Sequence, residues 1–483
     1  MSRKVTRFVL LFFVVMVCVI SCKRNGANQR EKAYRKTKEN IELTLWTCYS
    51  AAQQEVFLKT VDEFNLTRGK ELNITVHVMN PGSIGDLDGN LLSLTDKNFT
   101  QDNYPDMAFM YRDAAQALDS KGYLVDFSSY FSKEELDSFV PGFLEEGKLG
   151  KQSKGIKILP VGKSTEILYL NETDWKKFAD ATGCSISELA TREGLVSVAE
   201  KYYQYTDALT ETPNDGKAFF GQEDFANFML IGAKQMGADL ISQDAAGKAV
   251  YHFPKDVMYK LWKLFYVPYI KGYFSSSGRY RSDDVRTGEI ISYVSTSASY
   301  LNFPKEVILS DEKQYPIESA VLPAPEFVEG EKLAVQQGAG IAVIKGKEKK
   351  IRACMEFLRW LTAKDVNSKF TVSAGYLPVK SEALNVQTID VLEGRGKNPA
   401  LEQALDTVST HTMYTIPAVE QVSKVRDLLE NDMREKAMSD RKAIDTAVAS
   451  GSSREDAIAE YDTEENFGIW YDAFLSKVEK LEK

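Results

Sequence analysis

Two hydrophobic periodicities alternate between Ile41 and Met110, and this alternation restricts the fold more than any other feature of the chain. Residues 41–45 alternate apolar and polar side chains, which is typical of a strand. Ser50 and Gln53 then have the spacing of a capping box, and apolar residues follow at helical intervals. A second alternating run, another helix-compatible stretch and a short apolar run complete a β-α-β-α-β order. Strands joined through helices pair in parallel with right-handed crossovers, so the sequence predicts an α/β layer fold.

Aromatic residues follow two of these predicted strands at the point where each strand ends. Trp46 to Tyr49 come after the first strand, and Tyr111 to Asp113 come after the third. Ligands of open α/β sheets gather at the carboxyl ends of the strands. We therefore expect both groups at a rim that binds a ligand, with ordinary loop aromatics as the structural alternative.

The rest of the chain is too long for one core. About 440 residues follow Asn40, which suggests two domains, or two lobes that share interrupted segments. Residues 338–344 have the pattern of a buried strand after a small-residue turn. Residues 434–483 have a strongly helical pattern with a break at Gly451, so we expect a helical C-terminus.

The N-terminal segment predicts the compartment. Basic residues precede an apolar run, residues 8–20, that is too short to span a bilayer comfortably. Residues 1–21 therefore have the pattern of a signal peptide, and the run ends at Cys22 in a sequence that resembles the lipobox of bacterial lipoproteins. We expect cleavage before Cys22, lipidation of its thiol and a polar tether over residues 22–40. This predicts an extracytoplasmic protein held by lipid at the cell membrane, in a periplasm or at the cell surface; an uncleaved anchor is the alternative.

Composition argues against several classes of function. The formal net charge is −9 and the pI is near 5.3, so the surface is unsuited to neutralising the phosphates of a nucleic acid. The histidines lack the spacing of a zinc pair, and no metal or cofactor is predicted. Outside the leader and the lipobox, the cysteines are Cys48, Cys184 and Cys354. Their apolar surroundings favour buried side chains, and a disulfide between two of them stays open.

A lipid-anchored glycoside hydrolase is the main alternative from another class. Such an enzyme needs two carboxylates that face each other across a cleft, and the chain has 69 acidic residues from which to build a pair. The adjacent pairs Glu134–Glu135 and Asp283–Asp284 are more typical of helix starts and solvated loops. No Gly-x-Ser-x-Gly nucleophile motif is present. We therefore predict that the protein is not an enzyme.

Short motifs spread over most of the chain occur in the order typical of one family. They are Leu45-Trp46 with Phe64-Asn65; Pro105-Asp106-Met107-Ala108; Leu159-Pro160 with Thr165 and Leu168-Tyr169-Leu170-Asn171; Thr287-Gly288-Glu289 with Ser295-Thr296-Ser297; Gln337-Gly338-Ala339-Gly340; Phe357-Leu358 with Trp360-Leu361-Thr362; and Gly375-Tyr376-Leu377-Pro378-Val379. Each motif alone is weak. Together they resemble family 1 extracellular solute-binding proteins of ABC importers, the group that includes maltose-binding and glycerol-3-phosphate-binding proteins.

The resemblance implies a periplasmic-binding-protein-like fold, in which two α/β lobes are joined by crossing hinge segments. Lobe one would comprise residues 41–160 and 319–372, and lobe two residues 161–318 and 373–483. The lobes would close around a small sugar-like ligand by a hinge motion. The closed monomer would then deliver the ligand to the transmembrane subunits of an ABC permease.

The resemblance also implies a set of ligand-binding residues that suit a sugar. Sugars have apolar faces and rings of hydroxyls, so aromatic plates and polar groups bind them together. The positions that match the family pattern, with two additions from a glycine-bounded stretch, are Trp46, Tyr49, Tyr111, Arg112, Ser164, Thr165, Phe220, Asp224, Ser297, Gln337, Gly338 and Tyr376.

A glycerol-3-phosphate or glycerophosphodiester ligand is the alternative within the same fold. The family members that bind such ligands are expected to hold the phosphate with an arginine in a late segment. No arginine occurs in the comparable residues 411–422, which argues against this ligand. Arg112 or Lys163 could supply the positive charge instead.

Overall fold

The computed structural model describes residues 39–95, 104–150, 153–309, 313–393, 398–417, 419 and 422–481. The predicted signal peptide, the lipidation site Cys22 and nearly all of the predicted tether therefore lie outside the described residues. Among the described residues, each helix is either too short or too polar to span a bilayer.

The described chain alternates strands and helices, as an α/β fold requires. The strands are β1 (Ile41–Trp46), β2 (Ile74–Met79), β3 (Met107–Met110), β4 (Glu166–Asn171), β5 (Phe220–Gln222), β6 (Ile241–Gln243), β7 (Ala249–Tyr251), β8 (Ser292–Thr296), β9 (Glu306–Ile308), β10 (Gln314–Pro316), β11 (Ser319–Pro323), β12 (Leu333–Val335), β13 (Gly340–Val343) and β14 (Thr412–Tyr414). The helices are α1 (Ala51–Leu66), α2 (Arg68–Leu72), α3 (Ile84–Thr95), α4 (Arg112–Ser120), α5 (Lys133–Asp137), α6 (Pro141–Glu145), α7 (Glu172–Thr182), α8 (Arg192–Asp207), α9 (Phe225–Gln235), α10 (Lys255–Ile270), α11 (Arg281–Arg286), α12 (Glu348–Leu361), α13 (Lys364–Ser373), α14 (Val386–Glu393), α15 (Pro399–Thr410), α16 (Val422–Ala449), α17 (Arg454–Ala459) and α18 (Glu464–Leu481).

The first compact unit consists of the described residues up to Phe109 together with residues 343–361. In its sheet, β1 lies between β2 and β3 and runs parallel to both. The predicted β-α-β-α-β order is confirmed, because α1 separates β1 from β2 and α3 follows before β3. Helix α12 packs on α1 through Phe357 and Trp360, whose rings both contact Phe64.

The second compact unit contains the described residues between 110 and 342 and those from Thr362 onward. Its main sheet has the strand order β11-β4-β8-β5, in which β4 is antiparallel to both neighbours and β5 is parallel to β8. The lobe boundaries predicted from the sequence fall at other positions than the limits of these units, and they remain a proposal.

The helical C-terminus predicted from the sequence is confirmed, and it begins earlier than the predicted start at Arg434. Helix α16 starts at Val422 and ends before the Gly451 break, after which α17 and α18 follow. Trp470 of α18 packs against the buried Trp262 of α10, and its indole donates to Asp432 of α16 over 2.8 Å. The C-terminal helices are thus part of the core of the second unit.

The three cysteines in the described part of the chain lie in the core or next to it. Cys184 and Cys354 are buried and Cys48 is half-buried, and all three are free thiols. Burial raises the pKa of Cys48 to about 12, so its thiol stays protonated at neutral pH. No disulfide forms among the three, which answers the point that the sequence left open.

Candidate ligand-binding site

Three segments of the second unit run side by side at a crossing of the chain. The backbone of Ser164 exchanges hydrogen bonds with Gln337, at 3.0 and 2.9 Å, and Lys163 exchanges them with Leu377, at 3.1 and 2.7 Å. The sequence around Tyr376 therefore lies against residues 163–164 on one side, while Gln337 and Gly338 lie on the other. This crossing brings predicted ligand residues from three distant motifs into one place.

Hydroxyl groups bind the crossing to β8 and β12. Thr165 donates its side-chain hydrogen bond to Val335 O over 2.8 Å, and Thr296 donates to the Ser164 hydroxyl over 3.0 Å. Ser297 begins a 3-10 helix directly after β8, and its N–H donates to Thr165 O over 2.7 Å. Ser164, Thr165 and Ser297 are all buried, so their first role is to hold the crossing together.

At the crossing, Gln337 has an unused side-chain acceptor and Gly338 has a backbone conformation that favours glycine. The Gln337 side-chain oxygen is buried and accepts no hydrogen bond from the described residues. Gly338 has φ +101°, and a Cβ there would lie 2.5 Å from Gly162 O. Only glycine fits this position without displacing the backbone.

A buried ion pair lies beneath these residues. The Lys163 ammonium donates to the Glu146 carboxylate and to Gly338 O, the latter over 2.6 Å. Gln336 donates to the same carboxylate over 2.6 Å. The charge of Lys163, which the sequence offered as a possible phosphate ligand, is therefore already neutralised by an internal partner.

Arg112 lies close to this ion pair at the start of α4. Its guanidinium donates to Lys148 O over 2.8 Å, while its Nε is buried and has no hydrogen-bond partner among the described residues. Burial lowers the pKa of Arg112, and the nearby Glu146 partly opposes that shift. Arg112 remains a predicted ligand residue with one donor still to be used.

A second polar group forms around Asp224, the residue that caps α9. Its carboxylate accepts from the N–H of Asn227 over 2.9 Å and from Arg426 of α16 over 2.5 Å. The Asn227 side chain in turn donates to Glu166 of β4 over 3.0 Å. The late arginine that is absent from residues 411–422 occurs four positions beyond that segment, as Arg426. Glu166 was missed as well, because a single carboxylate at a strand start carries no distinctive signal.

Burial and neighbouring charges shift the pKa values of the ionisable residues in this group. Burial and the neighbouring Asp224 raise the pKa of Glu166 to about 8, and the same two causes raise that of Glu430 to about 7. Burial lowers the pKa of Arg426, but Asp224, Tyr111 and Glu430 outweigh it and the net shift is upward. The arginine therefore sits among acidic and phenolic groups that already use its charge.

A family model for bacterial extracellular solute-binding proteins matches residues 59–402. The chain belongs to this family. The family consists of binding proteins that act outside the cytoplasm, so the alternative of a glycoside hydrolase is set aside. No curated protein matches the sequence.

Solved structures of solute-binding proteins share the fold at low sequence identity. A cyclic alpha-maltosyl-1,6-maltose binding protein from Arthrobacter globiformis is 16% identical with a TM-score of 0.61, covering 91% of this chain and 100% of its own. The GacH receptor of Streptomyces glaucescens is 14% identical with a TM-score of 0.63, and the match covers 91% of this chain and 99% of the receptor. UgpB from Mycobacterium tuberculosis, in complex with glycerophosphocholine, is 14% identical with a TM-score of 0.61, covering 91% and 100%. The predicted periplasmic-binding-protein-like fold is confirmed.

The aromatic residues predicted for this solute-binding protein differ in their surroundings. In the first unit, Trp46 ends β1 half-buried, and the ring of Tyr49 packs edge-on against Phe109, with centroids 4.8 Å apart. In the second unit, Tyr111 precedes the first residue of α4 and Tyr376 follows Gly375, and both are half-buried. These four rings keep accessible surface, as a stacking platform needs.

Phe220 has a different environment from the other predicted residues. Its side chain is fully buried in β5, and its ring packs against Phe274 with centroids 4.9 Å apart. This packing accounts for its position without a ligand, so a direct contact from Phe220 remains a prediction that the surroundings do not favour.

A small cavity of the solute-binding protein lies behind the crossing, within the second unit. It has a volume of about 30 Å³, and Thr165, Glu166, Arg192, Asn227 and His411 are among its lining residues. This volume holds about two water molecules and is far too small for a sugar. It marks the buried side of the polar group around Asp224. Among the described residues, no group of acidic, histidine and cysteine side chains is arranged to hold a metal ion.

Proposed function

We propose that this chain is the substrate-binding lipoprotein of an ABC importer and that it captures a small carbohydrate. The observation that carries the proposal is the crossing, where predicted ligand residues from the Ser164, Gln337 and Tyr376 motifs lie together. The formal charge nearest to them, on Lys163, is paired internally with Glu146. Neutral donors and acceptors next to an aromatic ring match the hydroxyls and apolar faces of a sugar.

The proposed mechanism is conformational. Ligand contacts from both predicted lobes would favour a closed state that the permease recognises. The ligand can shift the equilibrium toward this state only by as much as it binds the closed state more tightly than the open one. Trp46, Tyr111 and Tyr376 would supply stacking surfaces. Gln337 would accept a hydrogen bond from a ligand hydroxyl, because its buried side-chain oxygen has no hydrogen-bond partner among the described residues.

A phosphorylated polyol, such as glycerol-3-phosphate or a glycerophosphodiester, is the second candidate. Arg426 favours it, since a guanidinium is the usual partner of a phosphate. The fold shared with UgpB, which was solved with glycerophosphocholine, is compatible with this ligand. The hydrogen bond from Arg426 to Asp224 argues for the neutral carbohydrate.

Native mass spectrometry of freshly purified protein, followed by thermal shift with paired neutral and phosphorylated probes, tests the proposal. Ligand at a hundredfold excess over its Kd stabilises the protein by about 2.7 kcal/mol. We expect shifts with maltose, maltotriose or related sugars and none with glycerol-3-phosphate. Gln337→Leu should lose the shift while keeping the melting temperature of the free protein. Absence of any retained ligand and of any carbohydrate shift would refute the carbohydrate proposal.

The lipid anchor is tested separately at Cys22. The wild-type protein, expressed in a bacterium, should partition into the membrane fraction and carry a mass increase on its first mature residue. Cys22→Ala should abolish the mass increase and release the protein from membranes, or leave an unprocessed precursor. Membrane binding of full-length Cys22→Ala at the wild-type level would show an uncleaved anchor instead.

A further inference from the structure

A continuous path of hydrogen bonds leads from the crossing to the C-terminal helices. Glu166 directly follows Thr165 and accepts from the Asn227 side chain over 3.0 Å. The Asn227 N–H donates to Asp224 over 2.9 Å, and Arg426 donates to the other carboxylate oxygen of Asp224 over 2.5 Å. The path therefore joins β4, α9 and α16, which are far apart in sequence.

Asn227 is the joint of this path because both its side chain and its backbone take part. It is the third residue of α9, so its N–H is one of the unpaired donors at the helix start that Asp224 caps. The residue is only 1% exposed, and the hydrogen bond to Glu166 holds the side-chain amide in place. Movement of Asn227 would therefore move the cap, and with it the carboxylate of Asp224.

Asp224 keeps surface that a ligand can reach, unlike the residues behind it. Its side chain is 26% exposed, whereas Glu166 is 7% exposed as a whole residue. The exposed carboxylate was predicted as a ligand contact from the sequence. The buried carboxyl stands two hydrogen bonds behind it.

The charges around Glu166 come from several elements. Asp224 lies on the α9 side and disfavours ionisation of Glu166, while Arg192 of α8 and Arg426 of α16 favour it. Arg192 directs its hydrogen bonds to Pro325 O and to Gln222, and not to Glu166. Across the cavity, His411 pairs with Glu326. Burial is the largest of these influences and raises the pKa of Glu166 to about 8, so the proton is held at neutral pH.

We infer that Glu166 is a positioning residue for the proposed ligand site, because it holds the Asn227 amide and, through Asn227, orients the carboxylate of Asp224. The role in ligand affinity rests on the proposed function, whereas the positioning of the α9 cap does not. Loss of the Glu166 proton would leave two negative carboxylates, Glu166 and Asp224, both bound to Asn227. Their repulsion would disturb the cap of α9.

Hydrogen exchange of the ligand-free protein tests the positioning. Amides 225–228 should exchange several-fold faster in Glu166→Ala than in wild type, whereas Glu166→Gln, which can still accept from Asn227, should retain wild-type protection. Glu193→Gln is the matched control, since Glu193 neighbours Arg192 but pairs with Lys260. If Glu166→Ala does not fold, Asn227→Ser breaks the same path and should accelerate the same amides. Wild-type exchange at residues 225–228 in the variant that folds would overturn the inference.

The pH profile of ligand affinity provides a readout that a purely structural role would not change. With maltose as the probe, we expect the wild-type Kd to increase by about tenfold between pH 7 and pH 9. The Kd of Glu166→Gln should stay constant over that range. Glu430→Gln removes another carboxyl near Asp224 whose pKa is raised, to about 7, and should keep the wild-type profile above pH 8. A wild-type profile in Glu166→Gln would overturn the inference. If maltose does not bind at any pH, maltose fails as the ligand and the exchange result alone decides the positioning.

Discussion

Arg426 donates a hydrogen bond to Asp224 over 2.5 Å, although 202 residues separate the two in sequence. The same carboxylate caps α9 through the N–H of Asn227. One side chain thus starts a helix and neutralises a guanidinium. The electrostatic character of the candidate site depends on this pair, because an arginine that is already paired offers little net charge to an anionic ligand.

Replacing Asp224 by Asn should shift ligand preference toward anions. The amide can still cap α9, but it removes the carboxylate that is hydrogen-bonded to Arg426, so less of the Arg426 charge is compensated. We expect the affinity for glycerol-3-phosphate to increase relative to maltose by about tenfold, or 1.4 kcal/mol. Isothermal titration with both probes measures this ratio, and Asp239→Asn, which breaks only a surface ion pair with Lys234, is the control. An unchanged ratio would show that Asp224 does not set the charge preference.

Breaking the buried pair between Lys163 and Glu146 should destabilise the protein strongly. Lys163→Met leaves a buried carboxylate with Gln336 as its remaining hydrogen-bond donor, at a cost of about 3–5 kcal/mol. The double variant Lys163→Met, Glu146→Gln removes both charges, so it should recover part of this loss. Urea unfolding of the wild type, Lys163→Met, Glu146→Gln and the double variant measures the coupling free energy between the two groups. Additive losses would mean that the two groups do not interact.

Gly338→Ala should weaken both stability and ligand affinity. The new Cβ would meet Gly162 O at 2.5 Å and would sit at φ +101°, with a strain of about 1–3 kcal/mol or a shift of the crossing. Gly122→Ala is a matched control, because Gly122 also has a positive φ, +77°, but open space around its Cβ position. The control should lose less stability and no affinity. Melting temperatures and sugar titrations compare the two, and equal effects would argue against a special role of the crossing.

Glu166 should make stability fall as the pH rises. Its folded pKa is raised to about 8 from an ordinary value of 4.5, so between these values the folded protein holds a proton that the unfolded chain has lost. The contribution is fully present below about pH 4.5 and is lost as the pH approaches 8, at no more than about 1.4 kcal/mol per pH unit. Glu166→Gln should flatten this part of the profile. Urea unfolding of both proteins at pH 5, 6, 7 and 8 measures the difference, and parallel profiles would contradict the prediction.

Local periodicity was sufficient to predict much of the fold. The strand at residues 41–45 and the helix after Ser50 are where the sequence placed them, because alternation and cap spacing are properties of consecutive residues. The family motifs named Ser164, Gln337 and Tyr376 as candidate ligand residues, whereas the meeting of their segments at the crossing is a feature of the tertiary structure. Their contacts with a ligand remain predictions.

The partners of the charged residues were decided only by the tertiary structure. A Lys, Asp or Glu carries the same charge wherever it stands, so nothing in the sequence distinguished Lys163 from a surface lysine or directed Arg426 toward Asp224. Burial of Glu166 beside Asp224 needed β4, α9 and α16 to converge, and no local pattern encodes that meeting. The sequence by itself determined where the elements and family motifs lie. Packing alone decided which charges are buried and paired, because that depends on residues brought together from hundreds of positions away.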